Sequence, residues 1–398
     1  MPSSPKRVLM LETNRDGTVG GSHQALFDLA VNLDSERFQP VVAFYEDNVF
    51  ADRLRSRGIE VHLVTGIPEE RAVRFGERGR LRKIIDVFIG APYRRFRFMR
   101  DLEIDLLHLN NSPLGALDDW LPAAKLAGIP CVSHAMGDAL LPTSLKGRIL
   151  LPLYDRVIAI SRHVADGMER QGVPSHLIEL VYLGVDVDEF RQRRTGSPSE
   201  IRAALGIGTE PVLAVMAGNV RQWKGQHAVI RSLSELDSET LGRLRVLFAG
   251  AVGEEYEDYY EELLGLVREF GLEDRITFLG GRNDLPDLFG AADIAIHASQ
   301  IPEPFGLVVV EALAVGTPVV GGLGGGPSEV LTPDCGRLWE TSSPSALAQV
   351  LSDLINDPEE LSRLGSNAEA RARRFDVSQF VAGVERVYRT LLGLPQPA

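Results

Sequence analysis

The sequence predicts an α/β protein of two doubly wound domains, each a parallel sheet covered by helices. Three observations carry this. Short apolar runs alternate with amphipathic stretches along most of the chain, the pattern that builds βαβ units. The opening strand, glycine-bearing loop, helix occurs twice, as KRVLMLETNRDGTVGGSHQALFDL from Lys6 and as PVLAVMAGNVRQWKGQHAVIRSL from Pro211. The chain has 398 residues, too many for one ordinary core when domains run to roughly 100–200 residues.

The elements follow in order. VLML reads as a buried strand, and Leu26, Leu29, Ala30 and Leu33 recur at helical spacing after the first glycine loop. QPVVAFY, ADRLRSRG and IEVHLV give strand, helix and strand; DLLHLN, LDDWLPAAKLAG and IPCVSHA repeat that order. After the second opening come LRVLFAG, YEDYYEELLGLVREFG, ITFLGG, LPDLFGAADIAIHAS and EPFGLVVVEALAVGTPVVGG. The boundaries read as a domain over 1–190, a polar, Gly- and Pro-containing hinge at 191–200 (RQRRTGSPSE), and a domain over 201–375. Residues 376–398 form a helix marked by Phe380, Val384, Val387 and Leu391 plus a tail, expected to pack back on the first domain. Open α/β sheets bind ligands beyond the carboxyl ends of their strands. Two such domains are therefore expected to face each other across a cleft, a place to join two substrates.

Composition narrows the partners. A hydrophobic content of 44% with 24% charged residues is ordinary for a globular protein. The net charge of −13 argues against nucleic acid, whose phosphates are held by Lys and Arg. Residues 71–100 stand apart, with ten of the 42 Lys/Arg but two of the 55 Asp/Glu. The two cysteines, Cys131 and Cys335, are too few and too far apart for a disulfide framework or zinc site, and a reducing cytoplasm is expected. No signal-like apolar region opens the chain, and no run of 18 apolar residues predicts a membrane span.

Residues 303–322, EPFGLVVVEALAVGTPVVGG, carry the sharpest chemical signal. Pro304 is excluded from a helix interior, so a helix is expected to start near Phe305 or Gly306, leaving Glu303 in a loop and Glu311 inside the helix. The first-turn amides of 306–308 are then free donors at the positive helix end, a place for a phosphate. Gly306 lets the backbone come close to a ligand, and Glu311 has acceptor capacity for two adjacent ribose hydroxyls. Hydrolysis is disfavoured: glycosidase carboxylates lie roughly 5–9.5 Å apart, whereas eight helical residues span about 12 Å. Anionic phosphates need cations, and Arg221 and Lys224 in NVRQWKG are the candidates, a solvated loop being the alternative.

Several motifs now stand in a definite order: GG at 20–21, VIAISRHVADGM at 157–168, VYLGVDVDEF at 181–190, GNVRQWKG at 218–225, FLGGRNDLPDLFGAADIAIHAS at 278–299, and E-x7-E at 303–311. From about residue 8 to 375 the chain resembles the retaining glycosyltransferases of family four, which have the GT-B fold of two Rossmann-like domains. The resemblance implies that Arg221 and Lys224 neutralise a donor diphosphate and that Glu311 binds the nucleotide ribose. It implies that Glu303 contacts the transferred sugar, and that amides at Phe305, Gly306, Leu307 and Val308 hold sugar hydroxyls and phosphate. His134 matches a family histidine at a strand end near the reacting sugar, the plain alternative being a structural histidine. Gly20 and Gly21 match the loop that closes over the diphosphate or acceptor. Asn219 stands where many members have arginine, which makes Arg221 the less regular of the two cations. Base selection is expected near Gly281 and Arg282. His163 and His297 read as structural, and Asp186 and Asp188 as turn and cap residues.

The implied reaction transfers a sugar from a UDP-, GDP- or ADP-sugar to a sugar or lipid-linked acceptor with retained configuration. The leaving diphosphate takes the acceptor proton on the same face, and neither metal nor cofactor is expected. A role in cell-surface polysaccharide, glycolipid or related glycoconjugate synthesis is expected. An epimerase or phosphorylase on the same scaffold, or a non-catalytic nucleotide-sugar-binding subunit, are the alternatives. The basic stretch interleaves arginine with Phe75, Ile84, Ile85, Val87, Phe88, Phe96, Phe98 and Met99, which suits an anionic membrane surface, a soluble anionic acceptor being the alternative.

Overall fold

The computed structural model describes residues 4–14, 20–64, 90–111, 119–137 and 151–396. The expected glycine loop at 15–19 and residues 71–89 of the basic stretch lie outside that set. The chain divides into two compact units, residues 1–183 with 377–398 and residues 184–376.

The first unit runs β1 (Lys6–Glu12), α1 (Gly21–Asn32), β2 (Phe38–Phe44), α2 (Val49–Ser56), β3 (Glu60–Leu63), α3 (Ala91–Asp101), β4 (Leu106–Asn110), α4 (Trp120–Ala127), β5 (Cys131–Ala135), β6 (Arg156–Ala159), α5 (Arg162–Arg170) and β7 (Ile178–Leu180). The second runs α6 (Val187–Gln192), α7 (Pro198–Ala204), β8 (Val212–Ala217), α8 (Gln226–Leu233), α9 (Ser238–Gly242), β9 (Leu244–Ala249), α10 (Glu257–Glu269) and β10 (Ile276–Gly280). It continues through α11 (Leu285–Ala291), β11 (Ile294–His297), α12 (Leu307–Ala314), β12 (Val319–Gly322), α13 (Pro327–Val330), β13 (Gly336–Trp339), α14 (Pro344–Asn356) and α15 (Pro358–Ala372). The last helix, α16 (Val377–Leu392), belongs to the first unit.

Each unit is built on one parallel sheet. The orders are β3-β2-β1-β4-β5-β6-β7 and β10-β9-β8-β11-β12-β13. Val8 to Leu11 of β1 and Leu213 to Val215 of β8 are fully buried, as expected of strands covered on both faces. In both sheets the winding reverses beside the first strand, between β1 and β4 and between β8 and β11. At such a reversal the loops after the two strands diverge and leave a crevice.

The sequence between the two sheets differs from the expected hinge at 191–200. That stretch is fixed within the second unit. Ser197 and Glu200 form a capping box at the start of α7, where Pro198 fits the first turn. The Asp287 carboxylate accepts from the Thr195 amide at 2.8 Å and its hydroxyl at 2.7 Å. The units part instead at residues 183/184 and 376/377. The Val185 amide donates to the Phe375 carbonyl at 3.0 Å, so the two ends of the second unit are joined. Asp186 caps α6 through the Glu189 amide, and Asp188 pairs with Arg373. Cys131 and Cys335 are buried and unbridged.

Helix α16 completes the first core. Phe380, Val384 and Tyr388 are buried, the Tyr388 ring meets Phe38 edge-on at 5.6 Å, and its hydroxyl shares a 2.7 Å hydrogen bond with His108 Nδ1. Among the described residues no helix is long and apolar enough to cross a membrane. Phe380→Ala is expected to cost about 3–5 kcal/mol through lost burial and a residual cavity. Denaturant unfolding followed by tryptophan fluorescence checks this, and an unmoved transition would contradict the packing.

Candidate active site

At the β8/β11 reversal, three strand-end loops pack backbone against backbone. A Cβ on Gly225 would lie 2.0 Å from the Ala298 carbonyl oxygen, and one on Gly250 would lie 1.9 Å from that of Gly218. Only glycine allows such approaches. The Gln300 amide donates to the Trp223 carbonyl at 2.7 Å, tying the loop after β11 to the loop after β8. This brings together residues far apart in sequence: Lys224 Nζ lies 2.6 Å from Glu303 Oε1 and 4.3 Å from the Trp223 ring centroid.

Glu303 is 9% exposed and also accepts from His297 Nε2 at 3.1 Å and from the Ser299 hydroxyl. Burial alone would raise its carboxyl. The hydrogen bond and charge from His297, with those from Lys224, overcome that and hold it well below the usual carboxylate range. His297 and Ser299 went unread as site residues because no spacing rule shows that a strand end and a loop four residues on will fold toward one carboxylate.

Glu303 and Glu311 divide as expected. Gly306 caps α12 with φ +85°, a left-handed conformation that glycine adopts without strain. Pro304 lies outside the helix, and the amides of Gly306, Leu307 and Val308 donate to no described group. A second glycine cluster, which sequence reading passed over, seats this loop. A Cβ on Gly325 would lie 2.3 Å from the Glu303 carbonyl oxygen, one on Gly326 would lie 2.3 Å from Phe305 Cα, and the Gly326 amide donates to the Glu303 carbonyl at 2.8 Å. Its signal was visible as the GGLGGGP run at 321–327. Glu311 is half-buried on α12. Its apolar surroundings push its carboxyl up to about 7, opposed by the Arg193 charge.

The side chains of the remaining second-unit residues are engaged elsewhere. Arg221 stands 5.2 Å over the Tyr256 ring and pairs with no carboxylate among the described residues. Asn219 braces the loop after β9, accepting from the Ala251 amide at 3.3 Å. Arg282 is paired with Asp284.

In the first unit, Gly20 caps α1 and Gly21 opens it. His134 is the fourth residue of β5, not a loop residue, and is fully buried. Its ring meets His108 at 5.2 Å and Phe380 at 5.7 Å, and neither ring nitrogen has a hydrogen-bond partner among the described residues. Burial, then the neighbouring His108, hold its imidazole well below the ordinary range, so it is neutral near pH 7. In register beside it stand Asn110 and Glu12, joined by a 2.6 Å hydrogen bond.

Two doubly wound parallel sheets, with a lysine and a buried glutamate brought together at a sheet reversal, fit a GT-B glycosyltransferase. The model for glycosyl transferases group 1 matches residues 198–371, and that for glycosyltransferase family 4 matches residues 49–189. D-inositol 3-phosphate glycosyltransferase of Saccharomonospora viridis is 30% identical over 332 residues, 79% of this chain and 76% of that protein. D-inositol 3-phosphate glycosyltransferase 1 of Catenulispora acidiphila is 28% identical over 355 residues, 83% of this chain and 80% of that protein. The crystal structure of Anabaena HepE in complex with UDP superposes with a TM-score of 0.81 at 26% identity, covering 98% of this chain and 100% of that one. A Rickettsia africae glycosyltransferase gives a TM-score of 0.83 at 18% identity over 98% of this chain and 99% of that one, a likeness of fold alone. The chain belongs to the family 4 glycosyltransferases.

Gly325→Ala adds a Cβ both at φ +67° and against the Glu303 backbone. A loss of about 1–3 kcal/mol is expected from the strained backbone alone. A thermal melt checks it, and an unchanged melting temperature would show that the loop is not seated as described.

Proposed function

We propose that the enzyme transfers a sugar from a nucleoside-diphosphate sugar to an acceptor hydroxyl with retained configuration, in the synthesis of a cell-surface polysaccharide, glycolipid or related glycoconjugate. The observation that carries this reading is the contact of Lys224 with Glu303 in the loop that leads to the open amides of α12. A cation, a carboxylate and free helix-end donors are what a diphosphate with an attached sugar calls for. Anabaena HepE, known in complexes with UDP and with UDP-glucose, supports a uridine donor. The curated relatives named as D-inositol 3-phosphate glycosyltransferases make a phosphorylated cyclitol an acceptor to test beside sugars and lipid-linked acceptors.

On this reading the diphosphate draws Lys224 toward its oxygens, and Glu303 accepts hydroxyls of the transferred sugar. The amides of Phe305 to Val308 hold sugar and phosphate oxygens. Glu311 receives the ribose; with a carboxyl near 7 it can donate as well as accept. As the glycosidic bond breaks, charge grows on the diphosphate and is met by Lys224, Arg221 and the helix end, while the departing oxygen takes the acceptor proton on the same face. No metal is required in this scheme.

Lys224→Ala is expected to lower turnover by about 10²–10³-fold, the scale of one lost charge-stabilising donor. It should also weaken binding of the nucleoside diphosphate identified by a thermal-shift screen of UDP-, GDP- and ADP-sugars. Wild-type kinetics in this variant would remove Lys224 from the reaction.

The exposed side of α3 supports placement at the inner face of an anionic membrane. Arg94, Arg97 and Arg100 are exposed along it, with Tyr93 55% exposed beside them. Flotation with vesicles containing phosphatidylserine should recover the protein, and Arg97→Glu with Arg100→Glu should abolish recovery. Equal recovery on neutral vesicles would remove the idea.

A further inference from the structure

The two oxygens of Glu303 are treated differently. Oε1 accepts from Lys224 Nζ, His297 Nε2 and the Ser299 hydroxyl, whereas Oε2 accepts from no described group. His297 is 6% exposed, and its Nδ1 has no partner among the described residues. A carboxylate oxygen only accepts, so Nε2 carries a proton and donates it to Glu303.

Of the three donors, Lys224 has a second task, because a diphosphate competes for its charge. His297 closes β11 on backbone fixed by the sheet, and Ser299 follows two residues later in the loop that the Gln300 amide ties to the Trp223 carbonyl. We propose that His297, seconded by Ser299, is a positioning residue that keeps Glu303 Oε1 occupied and presents Oε2 to hydroxyls of the transferred sugar, whether Lys224 faces Glu303 or the phosphate. An ionised oxygen held this way accepts and never donates, so it selects sugars that offer a hydroxyl at that point. The inference rests on the reading of Glu303 as the sugar contact and deepens it.

The test is calorimetric and needs no acceptor. UDP-glucose and UDP, or GDP-mannose and GDP where the screen returns a guanine donor, are titrated into wild type, Glu303→Gln, His297→Leu, His297→Gln and Ser299→Ala. The readout is the affinity for the sugar nucleotide relative to the free diphosphate. In His297→Leu this ratio is expected to fall about tenfold, the scale of one hydrogen bond to a charged group, while diphosphate affinity stays within about twofold. His297→Gln, whose amide can donate, should restore most of it.

A pH series separates positioning from mere damage. The charged and titratable groups facing Glu303 are Lys224 from the turn after β8 and His297 from β11. Without His297 the carboxylate protonates at higher pH, so the ratio should be lost earlier on acidification than in wild type. Should His297→Leu not fold, Ser299→Ala and His297→Gln carry the comparison. A ratio unchanged in Glu303→Gln would refute the sugar contact itself. A ratio lost in Glu303→Gln but kept, with its wild-type pH course, in the His297 and Ser299 variants would overturn this inference alone.

Discussion

A carboxylate removed from water persists in ionised form only where donors surround it, and the second unit is arranged around that requirement at Glu303. Lys224 reaches it from the loop after β8, His297 from the end of β11 and Ser299 from the loop beyond. The Lys224 contact depends on the parallel pairing of β8 with β11, which puts the ends of two strands distant in sequence side by side. The loops can then close on each other only because glycine occupies the contact points at 225 and 250. Sheet order, glycine placement and the charge of one residue are thus a single arrangement.

The first unit uses the same geometry with different chemistry. Its reversal, between β1 and β4, carries Glu12 and Asn110 in register, with His134 on the next strand. Here no cation pairs with Glu12 among the described residues. Burial raises the Glu12 carboxyl despite its bond to Asn110, takes His108 down to about 3, and leaves His134 neutral. One sheet thus ends in a carboxylate held ionised with the help of a lysine from the neighbouring loop, the other in a carboxyl that burial raises.

Much of this was legible in the sequence, for physical reasons. Alternating apolar runs and helical periods report burial directly, so the α/β class and both glycine-loop openings could be read. Pro304 forced the split between Glu303 and Glu311, because proline cannot occupy a helix interior. The family motifs located Lys224. What stayed hidden depends on loop conformation: that His297 turns toward Glu303, that Gly325 and Gly326 back the same loop, that Arg282 pairs with Asp284. A polar stretch with Gly and Pro looks like a linker, but residues 195–200 are drawn into the second unit by Asp287 and a capping box, interactions that a composition count does not register. His134, read at a strand end, is the fourth residue of β5 and packs against Phe380, a burial that the sequence alone does not show.

Helix α16 gives the molecule an order of assembly. The first 183 residues encode seven strands but leave the pocket for Phe380, Val384 and Tyr388 unfilled until the last segment of the chain has been made. Residues 184–376 have their whole sheet and both of their joined ends before then. During synthesis, which runs from the N-terminus at about 5–20 residues per second, the unit encoded second is therefore the first whose core can close. Until α16 is made, the apolar surface that Phe380, Val384 and Tyr388 cover in the first unit stays open.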